Sequence, residues 1–176
     1  VFPKVFNGFC IQPHFITKSY KKLCQVQIIP KNGELLLCIS YEIEDTVALS
    51  DNERYMGIDL GVNNLATCVS NVVAAELING RPLKAINQYY NKKLSHLKSQ
   101  CVTENKKYST KRIQRLTRKR NRKINDYLHK ASKHIITKCI DNGINTVIIG
   151  KNDKWKQNSK LSKKVNQQFI SLLLRQ

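Results

Sequence analysis

Residues 55–67, YMGIDLGVNNLAT, decide the fold of this chain. The first six are apolar apart from Asp59, a pattern that predicts a strand with one carboxylate near its end. Gly57 and Gly61 flank this Asp, and glycines beside a strand carboxylate let backbone and substrate approach closely. Such an Asp either helps to hold two divalent metal ions that split a phosphodiester or, in actin-like and heat-shock-type ATPases, belongs to a turn that cradles ATP phosphates. A structural Asp that caps a turn is the third interpretation.

The residues after Asp59 favour the nuclease over the ATPase. Residues 62–64 are Val-Asn-Asn, where the phosphate turns of ATPases carry small hydroxyl residues. A basic helical segment follows the strands, where further sheet would be expected of an ATPase.

The segment before this motif predicts β structure. Two β-prone runs, 23–29 and 35–43, flank Asn32-Gly33, a strong hairpin signal. Residues 5–10 could add another strand. We therefore interpret residues 1–50 as the last part of a β-module, separated from the rest by a polar, acidic connector at 46–54.

The order of elements after the connector points to one architecture. Residues 55–62, 65–70 and 74–78 predict strands. From Leu83 the apolar residues recur at steps of three and four, which predicts two amphipathic helices up to Asp141. A short buried strand at 145–150 follows. Three strands, a helical segment and a strand open the ribonuclease H-like fold, so we predict an α+β protein whose second domain is incomplete.

Charge is concentrated in the helical segment. The 176 residues carry 31 Lys and Arg against 12 Asp and Glu, a net charge of +19. Residues 81–138 hold 18 basic residues against Glu104 and Asp126, so this segment alone carries +16. We predict that its densest run binds nucleic acid through phosphates, and the alternative is a solvated helix face. The candidate residues are Lys106, Lys107, Lys111, Arg112, Arg115, Arg118, Lys119, Arg120, Arg122 and Lys123.

Composition excludes several other classes. A hydrophobic share of 41% and a charged share of 24% fit a folded protein. There is no apolar run of 18 residues and no signal-peptide start, so we expect no membrane association. The six cysteines lie at least 14 residues apart, which excludes zinc-ligand spacing. We expect them to be small buried hydrophobes in a reducing cytoplasm.

Several motifs together resemble TnpB, the nuclease encoded by bacterial insertion sequences. The resemblance extends over essentially the whole chain and lies in residues 55–67, 78–92, 147–152, 155–157 and 166–169. It implies an RNA-guided DNA endonuclease related to type V CRISPR effectors, with DNA and guide RNA as partners, in a bacterial or archaeal cytoplasm.

The resemblance also implies a domain organisation. Residues 1–50 would be the end of a β-barrel wedge domain. Residues 54–176 would be the first part of a RuvC nuclease domain, with 83–140 as an inserted basic helical hairpin. We expect the chain to be truncated at both ends relative to the family.

The resemblance makes Asp59 the first catalytic aspartate and a ligand of Mg²⁺. The family's second carboxylate, a Glu, should fall at residues 150–152, which are Gly-Lys-Asn. Asp153 could replace it, but a loop acid between lysines favours a solvated position. The third aspartate and the Cys-x-x-Cys zinc ribbon are absent from the sequence, and one Asp cannot hold two metal ions. We therefore expect no cleavage by this chain unless a second chain supplies the remaining carboxylates.

Two other functions stay open. One is a regulator of the same family that binds guide RNA or DNA without cutting it. The other is an unrelated basic RNA-binding protein of ribosomal type, against which the Asp59 motif argues. Whichever holds, Val147, Ile149, Phe169 and residues 172–174 lack sheet and helices to cover them. We expect that uncovered surface to associate with a partner or with a second copy.

Overall fold

The computed structural model describes residues 21–44, 47–105 and 110–150, without the side chains of residues 104 and 105. These residues form a mixed α and β structure, so the predicted α+β class is confirmed. Its elements are β1 (Lys22–Lys31), β2 (Glu34–Glu42), β3 (Tyr55–Leu60), β4 (Asn64–Ser70), β5 (Glu76–Asn79), α1 (Arg81–Asn105), α2 (Lys111–Asp141) and β6 (Thr146–Ile149). The predicted strand at 5–10 and the apolar run at 169–174 lie outside the described residues.

The chain divides into two compact units between Val47 and Ala48. In the first unit β1 and β2 pair antiparallel, with Lys31 opposite Glu34. The two turn residues, Asn32 and Gly33, have φ angles of 52° and 75°. Two consecutive left-handed residues define the turn whose twist matches that of paired strands, which is why Asn-Gly closes it. The hairpin predicted from this dipeptide is confirmed.

The second unit is built on a four-stranded sheet with the order β5-β4-β3-β6. β3, β4 and β5 form an antiparallel meander. β6 returns parallel to β3, with Met56 opposite Val147 and Ile58 opposite Ile149. A parallel neighbour needs a long crossover connection, and α1 with α2 supplies it.

One face of this sheet packs against α2. Met56 and Ile58 are buried and form a core with Cys139 of α2 and with Ile144. Side chains alternate along a strand, so Asp59 lies on the other face of β3.

β6 was predicted to be a buried strand, and this was wrong; the separate expectation that Val147 and Ile149 lack covering elements agrees with the structure. Val147, Ile148 and Ile149 are 36%, 59% and 56% exposed. In the described part of the chain β6 pairs only with β3, and α2 covers β3 without reaching across β6.

The two helices form a hairpin longer than the sheet beneath it. At 1.5 Å per residue, the 31 residues of α2 span about 46 Å. Near the sheet, Leu83 of α1 is fully buried with Leu65 and Ile124. At the far end, Leu97, Cys101 and Ile113 form a cluster drawn from the helices alone. The distal half of the hairpin therefore depends on the pairing of α1 with α2.

The expectation that the cysteines are buried holds for three of them. Cys68, Cys101 and Cys139 are buried, and burial raises the pKa of the Cys68 and Cys139 thiols. Cys24 and Cys38 are exposed, so the expectation was wrong for these two, and Cys10 lies outside the described residues. They stand on β1 and β2, and a two-stranded hairpin has little interior in which to bury side chains.

Candidate functional site

The amino-terminal half of α2 presents a basic surface. Thr110 caps the helix, and its hydroxyl accepts a hydrogen bond from the Ile113 backbone N–H at 3.3 Å. Successive residues turn by about 100°, so six of the predicted basic residues fall within about 120° of one side of the helix. All six are exposed, and we call this surface the basic arc: Lys111, Arg112, Arg115, Lys119, Arg122 and Lys123. Ile113 and Ile124, which are buried, point to the opposite side.

The other predicted basic residues are placed differently. Lys106 and Lys107 lie outside the described residues, and Arg118 and Arg120 are half-buried. Arg120 reaches across to α1, where its Nε and Nη2 donate to Asn87 Oδ1 at 2.8 Å and 2.6 Å. Its guanidinium carbon also lies 5.6 Å from the ring centre of Tyr90, a cation–π distance. The structure thus gives Arg120 a role in joining the two helices.

Asn87 is the acceptor that this arrangement depends on. It is only 6% exposed, and its Nδ2 has no hydrogen-bond partner among the described residues. A buried acceptor that loses its donors costs about 1–3 kcal/mol, so Asn87 and Arg120 are energetically coupled. The sequence carried a signal for this. Arg120 follows Ile113 by seven residues and precedes Ile124 by four, which places it on the apolar stripe.

Two residues of the basic arc stand where a helix disfavours positive charge. The first turn of α2 contains Lys111 and Arg112 and no acid. The amino end of a helix is the positive end of its dipole, so each of these charges costs about 0.3–1 kcal/mol. Helix stability therefore does not explain why basic residues occupy these positions.

Asp59 and its neighbour Gly150 mark a second candidate site, which we call the carboxylate corner. Asp59 is exposed near the end of β3, paired in register with Thr67. The Gly150 N–H donates to the Ile58 carbonyl at 3.1 Å, so Gly150 continues the parallel ladder beside Asp59. The second carboxylate implied by the family resemblance was expected at residues 150–152; Gly150 has no side chain, and residues 151 and 152 lie outside the described residues.

The carboxylate corner does not contain a complete metal site. No three His, Cys, Asp or Glu side chains come together to hold an ion within residues 21–44, 47–105 and 110–150. A pair of metal ions needs several converging carboxylates, and the described residues provide only Asp59 here. These residues alone do not fit a two-metal centre. Asp153 lies outside the described part of the chain.

The loop after β3 is held by close backbone contacts. The Gly80 N–H donates to the Asn63 carbonyl at 2.8 Å, and a Cβ at Gly80 would lie 2.6 Å from the Val62 carbonyl oxygen. Only glycine fits such an approach. Lys84 of α1 donates to the side-chain oxygen of Asn63 as well. The loop beside the carboxylate corner is therefore fixed by the start of α1.

Sequence reasoning missed a charged cluster that ties α2 to the sheet. Lys138 Nζ lies 2.7 Å from Glu76 Oε2, and His134 Nε2 lies 2.7 Å from Glu76 Oε1. The hydrogen bond from Lys138 lowers the pKa of the Glu76 carboxyl most, and the hydrogen bond from His134 lowers it further. The partners stand 58 and 62 residues apart in sequence, so no local pattern marks them.

Neither described helix is long and apolar enough to cross a membrane. Residues 38–156 match the family model OrfB_IS605, described as a probable transposase. Among solved structures the chain is similar to one in the cryo-EM structure of the Cas12f1–sgRNA–target DNA complex, with 22% sequence identity and a TM-score of 0.43. That likeness covers 64% of this chain and 28% of the other. None of the curated proteins matched.

Proposed function

The chain belongs to the OrfB_IS605 family of probable transposases, and on that premise we propose that it is the nucleic-acid-binding part of a TnpB-like, RNA-guided DNA endonuclease. The family match confirms the family that the sequence resemblance predicted. The observation that carries the proposal is the basic arc, six exposed basic side chains on one side of α2.

The basic arc suits a phosphate backbone in both charge and shape. From Lys111 to Lys123 it extends about 18 Å along the helix, and no acid interrupts it. Each Lys or Arg that neutralises a phosphate releases a condensed counterion, which is a strong source of affinity at low salt. A solvated face is the competing explanation. The helix-dipole cost of Lys111 and Arg112 weighs against it, since a polyanion at these residues would offset that cost.

The sheet supports assignment of the second unit to a RuvC domain. An antiparallel meander with a fourth strand parallel to the first matches the start of a ribonuclease H-like sheet. In this proposal residues 54–176 are the amino-terminal part of that domain, residues 83–140 are its inserted hairpin, and residues 1–50 belong to a wedge domain. DNA and guide RNA are the proposed partners, in a bacterial or archaeal cytoplasm.

Cleavage is proposed for a complete site and not for the described residues alone. Asp59 would be one ligand of Mg²⁺, which would activate and orient the groups of the phosphodiester reaction when bound. The remaining carboxylates would come from residues outside the described part, such as Asp153, or from a second chain.

Binding at a series of salt concentrations tests the proposal. If six side chains contact duplex phosphates, the slope of log K against log salt should be about −5. Replacing Arg115, Lys119 and Arg122 together by Gln should reduce its magnitude by about 2.7. The control is replacement of Lys21, Lys22 and Lys31 by Gln, which removes the same charge from the first unit and should change the slope by less than about 1. Equal changes in the two variants would mean that net charge, and not the basic arc, drives binding.

A further inference from the structure

Two adjacent tyrosines of α1 differ in what they contact. The Arg120 guanidinium lies over the ring of Tyr90, and the Tyr90 hydroxyl lies 3.1 Å from Thr117 Oγ1. Tyr89 is instead 62% exposed, and its hydroxyl has no hydrogen-bond partner within the described part of the chain. The pairing of α1 with α2 therefore uses Tyr90 and leaves the ring of Tyr89 in solvent.

Two lysines and a histidine share the exposed side of α1 with Tyr89. Successive helical residues turn by about 100°, so Tyr89, Lys92, Lys93 and His96 fall within about 100° of one side of the helix. All four are exposed. No Asp or Glu occurs in residues 81–103. We call these four residues the tyrosine face.

The tyrosine face lies at the same height along the helical hairpin as the basic arc. The contacts of Asn87 with Arg120 and of Tyr90 with Thr117 fix the register of the two helices. In this register the tyrosine face lies opposite about residues 111–118, which include the first half of the basic arc. Packed helices lie about 8–10 Å apart, so one nucleic-acid molecule can reach both surfaces.

We propose that the tyrosine face binds single-stranded nucleic acid, with an unpaired base stacked on the Tyr89 ring and neighbouring phosphates bound by Lys92 and Lys93. The inference rests on the proposed function, because it adds a single-strand site beside the surface that binds duplex. Surfaces for single strands combine basic side chains that follow the backbone with aromatic rings on which bases stack. The bases of a duplex already stack on one another, so Tyr89 distinguishes an unpaired strand from a paired one.

A solvated helix face is the competing explanation, and Tyr89 weighs against it. Tyr forms helices less readily than Lys, Gln or Glu, so helix stability does not explain an exposed Tyr at this position. Charge favours a polyanion over an apolar protein surface as the occupant. An apolar partner on Tyr89 would have to remove water from the ammonium groups of Lys92 and Lys93, one turn away, without pairing them.

Binding of oligothymidylate to the full chain tests the stacking. Tyr89→Ala should weaken it by about 5- to 150-fold, the contribution of one base on one aromatic ring. Tyr89→Phe keeps the ring and should bind within about twofold of the wild type. The matched control is a strand of the same length with abasic sites. Only phosphates and sugars remain in that strand, so Tyr89→Ala should change its affinity by less than about twofold.

Lys93→Gln tests the phosphate contacts, and Lys98→Gln is its control. Lys98 is exposed on the same helix but points about 180° away from Tyr89. For the single strand, Lys93→Gln should reduce the slope of log K against log salt by about 0.7, and Lys98→Gln by less than about 0.3. Stacking and phosphate contacts do not read the sugar, so oligouridylate should respond as oligothymidylate does. A response confined to one of the two strands would contradict a site of this kind.

Duplex binding separates this inference from the proposed function. Tyr89→Ala should keep duplex affinity within about twofold, which also shows that the variant is folded. If duplex bound with the expected salt slope but Tyr89→Ala weakened neither single strand, this inference would be wrong and the proposed function would stand. An equal loss of affinity for the abasic strand would assign Tyr89 to the structure of the hairpin and also overturn the inference. Failure of the wild type to bind duplex would contradict the proposed function, whatever the single strand did.

Discussion

The basic arc and the carboxylate corner differ in how much of a function each holds by itself. All six residues of the arc lie from Lys111 to Lys123 on one helix. The periodicity of the α-helix alone therefore places them on one side. The corner contributes Asp59 on β3, and its neighbour is Gly150, which directly follows β6. A binding surface can therefore be local, while a metal centre needs side chains from elements far apart in the sequence.

The physics of the two functions explains the difference. Phosphate contacts contribute one at a time, so a partial set still binds with reduced affinity. Two-metal hydrolysis needs its carboxylates to converge on both ions at once, and an incomplete set fails altogether. Within residues 21–44, 47–105 and 110–150 the arc holds six basic side chains and the corner one carboxylate, so we expect the chain to bind nucleic acid and to leave it intact.

Asp59→Ala gives the largest contrast between the two regions. The 176-residue chain with Mg²⁺ or Mn²⁺ and a guide RNA should not cleave DNA above background. When the remaining carboxylates are supplied in a second polypeptide, cleavage should appear, and Asp59→Ala should return it to background. Affinity for nucleic acid should stay unchanged or rise slightly, since the substitution removes a negative charge. Cleavage and binding assays on the same samples separate the two effects.

One result would contradict this prediction. Metal-dependent cleavage by the 176-residue chain alone, lost in Asp59→Ala, would show that this chain completes the site. Asp153 would then be the first acid to replace, with Asp153→Asn as the variant and Asp126→Asn as a control on the helical hairpin.

Lys119 and Arg120 sharpen the comparison within α2. They are neighbours in sequence, but Lys119 belongs to the basic arc and Arg120 bonds Asn87 on α1. Arg120→Ala removes charge-assisted hydrogen bonds and leaves a buried acceptor, so it should lower the free energy of unfolding by about 1.5–3 kcal/mol. Lys119→Ala should change it by less than about 0.5 kcal/mol. Lys119→Ala should instead reduce the salt dependence of binding by about one unit of slope.

A double-mutant cycle supplies the control for Arg120. Asn87→Ala and Arg120→Ala together should cost less than the sum of the two single variants, with a coupling of about 0.5–3 kcal/mol. Denaturant unfolding at constant salt measures all four proteins. Additive losses of unfolding free energy would mean that the contact between Arg120 and Asn87 contributes little to stability. Arg120 would then again be a candidate for phosphate binding.

Much of this fold was predictable because it follows from local patterns. Asn32-Gly33 predicted the hairpin, and the apolar residues at steps of three and four after Leu83 predicted both helices. The apolar run of β6 predicted a buried strand because such a run cannot show what will cover it, whereas the expectation that Val147 and Ile149 lack covering elements agrees with their exposure. The inward turn of Arg120 was missed because charge was counted along the sequence and not around the helix. The contact between Glu76 and Lys138 joins residues 62 apart, beyond any local pattern.

The contacts of Glu76 hold the carboxyl half of α2, and with it the basic arc, on the sheet. Because Lys138 and His134 lower its pKa, Glu76 stabilises the folded chain above its ordinary pKa of about 4.3, and this stability disappears as the pH falls through the lowered value. The Glu76 side chain is 32% exposed, so the contribution should not exceed about 1 kcal/mol. Glu76→Gln should thus lower Tm by at most about 2–4 °C near neutral pH and by much less at a pH well below the lowered pKa.

The matched control is Asp126→Asn, which breaks the exposed ion pair with Lys130 on the same helix. An i, i+4 pair of this kind contributes about 0.3–0.5 kcal/mol, so the Tm of this variant should fall by about 2 °C or less. Thermal unfolding of the three proteins over an acid-to-neutral pH series measures both effects. If Glu76→Gln lowered Tm by the same amount at every pH, the stabilisation would come from the packing of the side chain and not from its charge. The link between the sheet and the basic arc would then be independent of the ionisation of Glu76.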